Sequence, residues 1–240
     1  NNITDGTVSS GDLVLGKTGN GIIDIDNKSR LDVKNDVVVS TGVDGIPNEK
    51  PSLININNES DFLIHGNMKG GISAAGKLQL NMDSSSNLRV DNNITVGIGS
   101  GSDISVSAAN GSSISATGDF TVATGDNSNA NLNLDASNLT VNGVSTIGSG
   151  NGSTTKFDIQ NSSVVTSGSG MTLAKGKGTQ ANINISSSKL NTGSLSVGEG
   201  EAAKVTMTGN GATVSTGNSF TVAKGNNASA TLDYTGSKID

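Results

Sequence analysis

Short segments in which apolar and polar residues alternate recur along the whole chain. In a first series, tripeptides of the form apolar-x-apolar are each followed by a Gly-rich turn; they occupy residues 13–15, 37–39, 94–96, 120–122, 171–173, 195–197 and 220–222, with weaker members at 72–74 and 144–146. Period-two alternation over three to five residues, bounded by Gly, Asn, Asp and Ser, is typical of short β-strands. No segment has the 3.6-residue periodicity of an amphipathic helix, so we predict an all-β protein.

Two further series follow the first in a fixed order. The second occupies residues 23–25, 54–56, 80–82, 104–106, 132–134, 157–159, 183–185, 205–207 and 232–234. Its mean spacing is ~26 residues, within the range of periods that is typical of solenoids. The third occupies residues 31–33, 62–64, 88–90, 114–116 and 139–141, and continues near Val164, Leu190, Val214 and Ile239. The chain therefore contains nine units, each with three predicted strands.

Repetition at this period predicts a solenoid, because each short strand is stable only when it pairs with its counterpart in the next unit. We predict a right-handed, three-sided parallel β-helix of about nine coils of ~26 residues, forming one segment over residues 1–240. Both prolines, Pro47 and Pro51, fall within residues 42–51, where the first interval is lengthened. This stretch is predicted to be a loop insertion between coils.

Composition alone would suggest disorder, but the repeat explains it. Only 32% of the residues are hydrophobic and 2% aromatic, whereas Gly, Ser, Asn and Thr supply 121 of the 240. A β-helix needs only about six inward aliphatic side chains per coil, and its turns favour Gly, Asn, Asp and Ser.

Charge and residue usage exclude several classes of function. A net charge of -6 with two arginines leaves no basic surface for a phosphate backbone, so we expect no nucleic-acid partner. The absence of cysteine excludes disulfides, thiol nucleophiles and zinc-thiolate sites. No apolar run approaches the ~20 residues that cross a bilayer, so we expect no transmembrane segment in this chain.

The candidate site is a column of polar residues at the middle of the second-series tripeptides, where side chains point outward. Its members are Asp24, Asn55, Asn81, Ser105, Asn133, Asp158, Asn184, Thr206 and Asp233. Seven of these nine are Asn or Asp, which strands disfavour. Two interpretations explain them: hydrogen-bonded amide stacking that stabilises the solenoid, or a polar stripe that binds a second rod or a glycan.

Catalytic and metal-binding groups are scarce. His65 is the single histidine, and Asp24, Asp26, Asp32 and Asp36 lie near the first coil, where carboxylates would gather in a polysaccharide-degrading β-helix enzyme. No matching acid or base accompanies them, so we assign no catalytic residue. Asp-rich turns would suit calcium, but the tandem Gly-Gly-x-Gly-x-Asp nonapeptides of calcium-binding β-rolls are missing. We therefore expect neither a metal nor a cofactor.

The repeat units resemble those of a known family. FTVATG at residues 120–125 with LNLDASNLTV at 132–141, and MTLAKG at 171–176 with INISSSKL at 183–190, are similar to stalk repeats in the passengers of AIDA-like bacterial autotransporter adhesins. The resemblance covers essentially the whole chain. It implies a protein on the outer-membrane surface or secreted, which mediates aggregation, biofilm formation or host attachment, with self-association through polar ladders in several members. It also implies a translocator barrel elsewhere in the full-length protein, and the repeat still runs at Ile239, as expected of a fragment.

These observations predict a non-enzymatic adhesin segment. Its expected partners are a second copy of itself, or a glycan or protein of a host or matrix. Two alternatives stay open at this point: a polysaccharide-degrading enzyme, and a passive stalk that presents a more distal adhesive domain.

Overall fold

The computed structural model describes residues 2–4, 6–17, 20–40 and 50–240. This part of the chain contains 27 β-strands and no helix, and all strand pairings are parallel. Each strand stacks on its counterpart in the next coil, so that paired residues such as Asn55 and Asn81 are separated by one repeat of the sequence. The result is a β-solenoid of about nine turns, which confirms the predicted all-β solenoid with three strands per coil. Its right-handed sense stays a prediction.

The strands form three stacks that follow the three tripeptide series. The first stack contains Leu13–Leu15, Val37–Val39, Met68–Gly70, Ile94–Val96, Phe120–Val122, Val144–Ile147 and Gly170–Leu173. The second contains Asn2–Thr4, Ile22–Asp26, Ser52–Ile56, Lys77–Met82, Asp103–Ala109, Asn129–Asp135, Thr154–Gln160, Gln180–Ser186, Lys204–Asn210 and Ser229–Thr235. The third contains Thr7–Ser10, Arg30–Val33, Asp61–Ile64, Asn87–Val90, Ser113–Ala116, Asn138–Val141, Val164–Ser167 and Lys238–Ile239. Two longer strands, Lys189–Val197 and Thr213–Val222, pass from the third stack into the first.

The core is a set of inward columns, each built from residues at equivalent positions of successive coils. In the second stack, Leu132, Phe157 and Ile183 pair in register and are buried. Along each of these strands, the residues that alternate with the buried ones face solvent. The period-two pattern of the sequence therefore matches the burial pattern of the fold.

Part of the serine content is also buried, which the sequence analysis did not foresee. A column of serines lies at the corner between the second and third stacks, with side chains at most 3% exposed: Ser29, Ser60, Ser86, Ser112, Ser137, Ser163 and Ser188. The backbone N–H of Ser29 donates to Oγ of Ser60 at 3.1 Å, and that of Ser163 donates to Oγ of Ser188 at 3.1 Å. Five of the seven hydroxyls, all but those of Ser112 and Ser137, accept from a corner N–H group that the strand ladders leave free.

Glycine lines the corner between the first and second stacks because successive coils approach closely there. The column consists of Gly99, Gly125, Gly150, Gly176, Gly200 and Gly225. A Cβ atom at any of the six would lie between 1.9 and 2.3 Å from a carbonyl oxygen of the preceding coil. Backbone contact therefore fixes glycine at this corner.

Two weak members of the first series were placed wrongly by the sequence. In the third coil the strand is Met68–Gly70, and residues 72–74 follow it outside any strand. The pattern failed because Gly70 stands at an inward position, where a Cβ would lie 2.5 Å from Cδ2 of Leu78. At 144–146 the frame is shifted by one residue: Ser145 is buried between Phe120 and Met171, and Val144 is 38% exposed.

The inward Ser145 is a defect in the core that a substitution should repair. Within the described residues, its buried hydroxyl has no hydrogen-bond partner. Ser145→Val is expected to raise the free energy of unfolding by about 1 kcal/mol, because it removes an unsatisfied hydroxyl and fills the column with methyl groups. Urea denaturation followed by circular dichroism measures this. Thr146→Val, on the outward face of the same strand, should change stability by less than about 0.5 kcal/mol; a loss of stability in Ser145→Val would contradict the assignment.

The predicted loop insertion at residues 42–51 lies largely outside the described residues. Lys50 and Pro51 are described and lead into the strand Ser52–Ile56. Asp24 pairs with Asn55, so this coil is longer than the coil that follows it, in which Asn55 pairs with Asn81.

Candidate functional site: the polar face of the second stack

Seven of the nine predicted site residues lie in one outward column of the second stack. Strand register aligns Asp24 with Asn55 and Asn81, and the column continues through Asn133, Asp158, Asn184 and Asp233. The other two predictions, Ser105 and Thr206, are wrong by two residues and lie in the adjacent column. The positions that complete the column are Ser107 and Thr208.

Small inward residues explain this error. Ala108 stands where the preceding coil has Met82, and Gly209 stands where the preceding coil has Ile185. The tripeptide pattern therefore selected the earlier apolar pair in both strands. With Ser107 and Thr208 as members, every position of the column pairs directly with the next along the rod.

The site is wider than the predicted column. From Lys77–Met82 to Ser229–Thr235, seven coils each present four outward positions, and we call these 28 positions the polar face. Column 1 contains Lys77, Asp103, Asn129, Thr154, Gln180, Lys204 and Ser229; column 2 contains Gln79, Ser105, Asn131, Lys156, Asn182, Thr206 and Thr231. Column 3 contains Asn81, Ser107, Asn133, Asp158, Asn184, Thr208 and Asp233; column 4 contains Asp83, Ala109, Asp135, Gln160, Ser186, Asn210 and Thr235. Ala109 is the single apolar member.

Hydrogen bonding of the asparagine side chains differs between the first coils and the central coils. At the N-terminal end of the predicted column, Nδ2 of Asn55 donates to Oδ1 of Asp24 at 2.6 Å, and Nδ2 of Asn81 donates to Oδ1 of Asn55 at 2.8 Å. In the central coils, the side-chain amides of Asn131, Asn133 and Asn182 make no hydrogen bond to any described residue. Amide stacking therefore explains the first coils, whereas the central amides are available to a partner.

The charges on the polar face are few and nearly balanced. Three lysines and five aspartates give the 28 positions a net charge of -2. The two closest of them are on one strand, where Nζ of Lys156 lies 2.5 Å from Oδ2 of Asp158. The remaining positions carry neutral amides and hydroxyls apart from Ala109, so the face presents hydrogen-bonding groups rather than a strong field.

The predicted catalytic candidates do not converge on one site. Asp24 and Asp26 lie on the second stack, where each accepts a 2.6 Å hydrogen bond from an asparagine of the next coil. Asp36 lies beyond the third stack and accepts a 2.7 Å bond from the backbone N–H of Asn67, which lowers the pKa of its carboxyl group. Asp32 alone meets His65.

His65 bridges two carboxylates on the third stack. Its Nε2 lies 3.2 Å from Oδ1 of Asp32, and its Nδ1 lies 2.7 Å from Oδ2 of Asp91. Nζ of Lys34 lies 2.8 Å from Asp32, and Nε of Arg89 donates to Asp91 at 2.9 Å. The sequence did not single out Asp91, although it follows His65 by one repeat, which was a signal that the two lie on neighbouring coils.

The electrostatics of this cluster suit ion pairing. The hydrogen bond from Lys34 lowers the pKa of Asp32 against the opposing effect of desolvation. Desolvation also opposes ionisation of Asp91, but the hydrogen bonds from His65 and Arg89 outweigh it and lower the pKa of Asp91. A carboxyl group that acts as a general acid at neutral pH needs a raised pKa. The pKa values of Asp32 and Asp91 are both lowered, which does not suit that role.

The described ranges contain neither a metal-binding cluster nor a membrane-spanning helix. Residues 2–4, 6–17, 20–40 and 50–240 contain no group of three His, Cys, Asp or Glu side chains arranged to hold a metal ion. The same ranges contain no helix long and apolar enough to cross a membrane.

Comparison with known proteins places the chain beside a curated relative. No protein-family model matches it, and no solved structure matches it. It is 82% identical over 213 residues to the uncharacterized protein YuaO of Escherichia coli strain K12. The match covers 89% of this chain and 12% of the relative, so the chain spans about one eighth of the length of the protein it resembles.

Proposed function

We propose that this chain is a non-enzymatic segment of a bacterial cell-surface adhesin, located on the outer membrane or secreted, which associates with further copies of itself. The observation that carries the proposal is the polar face, with 27 polar side chains in a regular array of 28 positions. Attachment to a glycan or protein of a host or matrix would use the same hydrogen-bonding groups, and is a further outcome that the tests below distinguish.

The unpaired amides on the central coils support a binding role over a purely structural one. Asn131, Asn133 and Asn182 do not stack with neighbouring amides, and asparagine is a poor strand residue. On these exposed strands, no side-chain hydrogen bond within the described chain offsets the poor strand propensity of asparagine. A contact with an external partner supplies those bonds.

The binding mechanism that this face supports is the sum of many weak contacts. Each amide or hydroxyl contributes little by itself, but aligned rods repeat the contact every ~4.8 Å. The His65 cluster serves the rod itself, since the imidazole contacts Asp32 on the preceding coil and Asp91 on the following one.

The test is to place charges at the centre of the polar face. Asn133→Lys combined with Asn184→Lys is expected to weaken self-association by about tenfold or more, because four added ammonium groups per dimer would lose water at a contact made of neutral amides. Analytical ultracentrifugation measures the association, and circular dichroism checks that the β-structure is retained.

The matched control places the same charges on another face. Thr121→Lys with Thr172→Lys, on outward positions of the first stack, should leave self-association within about twofold of the parent. Equal weakening in both variants would indicate a general charge effect and remove the polar face from consideration. A parent protein that associates neither with itself nor with any glycan or matrix component would instead support the passive stalk.

A further inference from the structure

We propose that two copies associate through the polar face as parallel, in-register rods related by a twofold axis that runs along the solenoid. This inference rests on the proposed self-association and adds its geometry. The observation behind it is the order of charges across the columns: the lysine precedes the aspartate both in Lys77 and Asp83 and in Lys156 and Asp158.

A twofold axis parallel to the rod makes each coil face the same coil of the second copy. The rotation reverses the direction of the strands but leaves the position of each coil along the rod unchanged. Column 1 of one copy therefore meets column 4 of the other, and column 2 meets column 3. Contacting residues lie symmetrically about the inward residue at the middle of the strand, such as Leu80 or Phe157. The register of the whole interface follows from this rule.

Charges are complementary in this arrangement. Lys156 lies opposite Asp158 of the second copy, and the reverse contact also forms, so four charges of alternating sign meet at the middle coil. Lys77 lies opposite Asp83 of the second copy at the end of the face. The other charged members face neutral residues: Asp103 meets Ala109, Asp135 meets Asn129, Lys204 meets Asn210 and Asp233 meets Thr231.

The antiparallel arrangement with the same overlap is less favourable. Its twofold axis crosses the rod, so each column meets itself and the fourth of the seven coils faces its own copy. Lys156 then meets Lys156, and Asp158 meets Asp158, although Asp103 gains a contact with Lys204. The parallel arrangement has four opposite-charge contacts and no like-charge contact.

The size of the face suits a dimer. Seven residues of strand by seven coils measure about 23 Å by 34 Å, on the order of 800 Å² per copy, which is one side of a standard interface. The parallel arrangement presents neutral amides to one another in the central coils, with Asn131 opposite Asn133 and Asn182 opposite Asn184. These include the three amides that lack partners within the described chain.

Charge reversal at the middle coil tests the arrangement. Lys156→Glu is expected to weaken self-association by at least about tenfold at low salt, because two contacts per dimer change from attraction to repulsion. Exchanging the pair, Lys156→Asp with Asp158→Lys, should restore the parent affinity to within about threefold. Lys189→Glu has the same change in net charge on the third stack and should leave affinity within about twofold of the parent.

Spin labels determine the orientation directly. The chain has no cysteine, so Asn87→Cys and Lys238→Cys each provide one label, in the same column of the third stack and six coils apart, about 29 Å along the rod. In parallel dimers both singly labelled proteins should give similar, short label-to-label distances by pulsed electron paramagnetic resonance. A mixture of the two labelled proteins should give the longer distance.

The outcomes separate this inference from the function on which it rests. Self-association that is insensitive to Lys156→Glu, or a mixture with the shortest distance, overturns the parallel arrangement and leaves the adhesin proposal standing. Absence of self-association in the parent protein at the highest soluble concentration overturns both.

Discussion

Replacing Gly176 with alanine is expected to lower the free energy of unfolding by about 3 kcal/mol or more. A Cβ at this position would lie 2.3 Å from the carbonyl oxygen of Gly150 and 2.6 Å from its carbonyl carbon. Both are backbone atoms of the preceding coil, so no side chain can move aside. Coils would have to separate at this corner, which weakens the strand hydrogen bonds on either side.

Gly178 provides a control two residues away in the same turn. It has a φ of +65°, and a Cβ there would meet nothing within 4 Å. Gly178→Ala is therefore expected to cost about 1 kcal/mol, the price of placing a β-carbon in the left-handed region. Urea denaturation of both variants checks the order; a loss at Gly176 no larger than that at Gly178 would mean that the coils relax around the added methyl group, and that their close approach does not require glycine here.

The glycine column has a cause that the sequence alone does not reveal. The Gly-rich segment after each first-series tripeptide predicted a turn, and the structure confirms turns after the six strands from Ile94–Val96 onward. The sequence pattern did not predict that one glycine per coil touches the preceding coil, because this contact depends on the register between residues one repeat apart. The sequence analysis attributed the high glycine content to conformational freedom in turns. At Gly99, Gly125 and Gly150 the stronger constraint is the short distance to the backbone of the preceding coil, which leaves no room for a Cβ atom.

Large aliphatic residues made the fold predictable. Strands with Ile, Leu, Val or Phe at both inward positions, such as those around Asn55 and Asp158, were placed in the correct frame. Errors arose where a small residue occupies an inward position: Gly70, Ala108, Ser145 and Gly209. A fold held by nine similar coils tolerates such exceptions, because neighbouring coils determine the register.

The polar column was predictable for the same reason, but the width of the face was not. The tripeptide pattern captures only the middle of strands that extend to seven residues, so Asn131, Asn182 and Lys156 were overlooked. Alternation continues through the whole strand Asn129–Asp135, and counting it to the end would have identified four outward positions. Which amides lack hydrogen bonds depends on side-chain conformation, and sequence does not specify it.

Phe157→Ala is expected to destabilise the solenoid by about 3 to 5 kcal/mol. Phe157 is 1% exposed and pairs in register with Leu132 and Ile183, so its removal leaves a cavity between coils in the middle of the rod. Stability in a solenoid is the sum of contacts between adjacent coils, and a weak central contact uncouples the two halves. Urea denaturation should therefore show both a lower midpoint and a broader transition than the parent.

Two variants make the test of Phe157 specific. Phe157→Leu retains most of the buried volume and should cost about 1 kcal/mol. Phe220, near the C-terminal end, is only partly buried, so Phe220→Ala should cost less than half as much as Phe157→Ala and leave the transition sharp. Equal losses at both phenylalanines would contradict the dependence on burial, and an unbroadened transition in Phe157→Ala would show that the rod unfolds as one unit. Because Lys156 and Asp158 flank Phe157 on the polar face, Phe157→Ala should also weaken self-association, and Phe157→Leu should not.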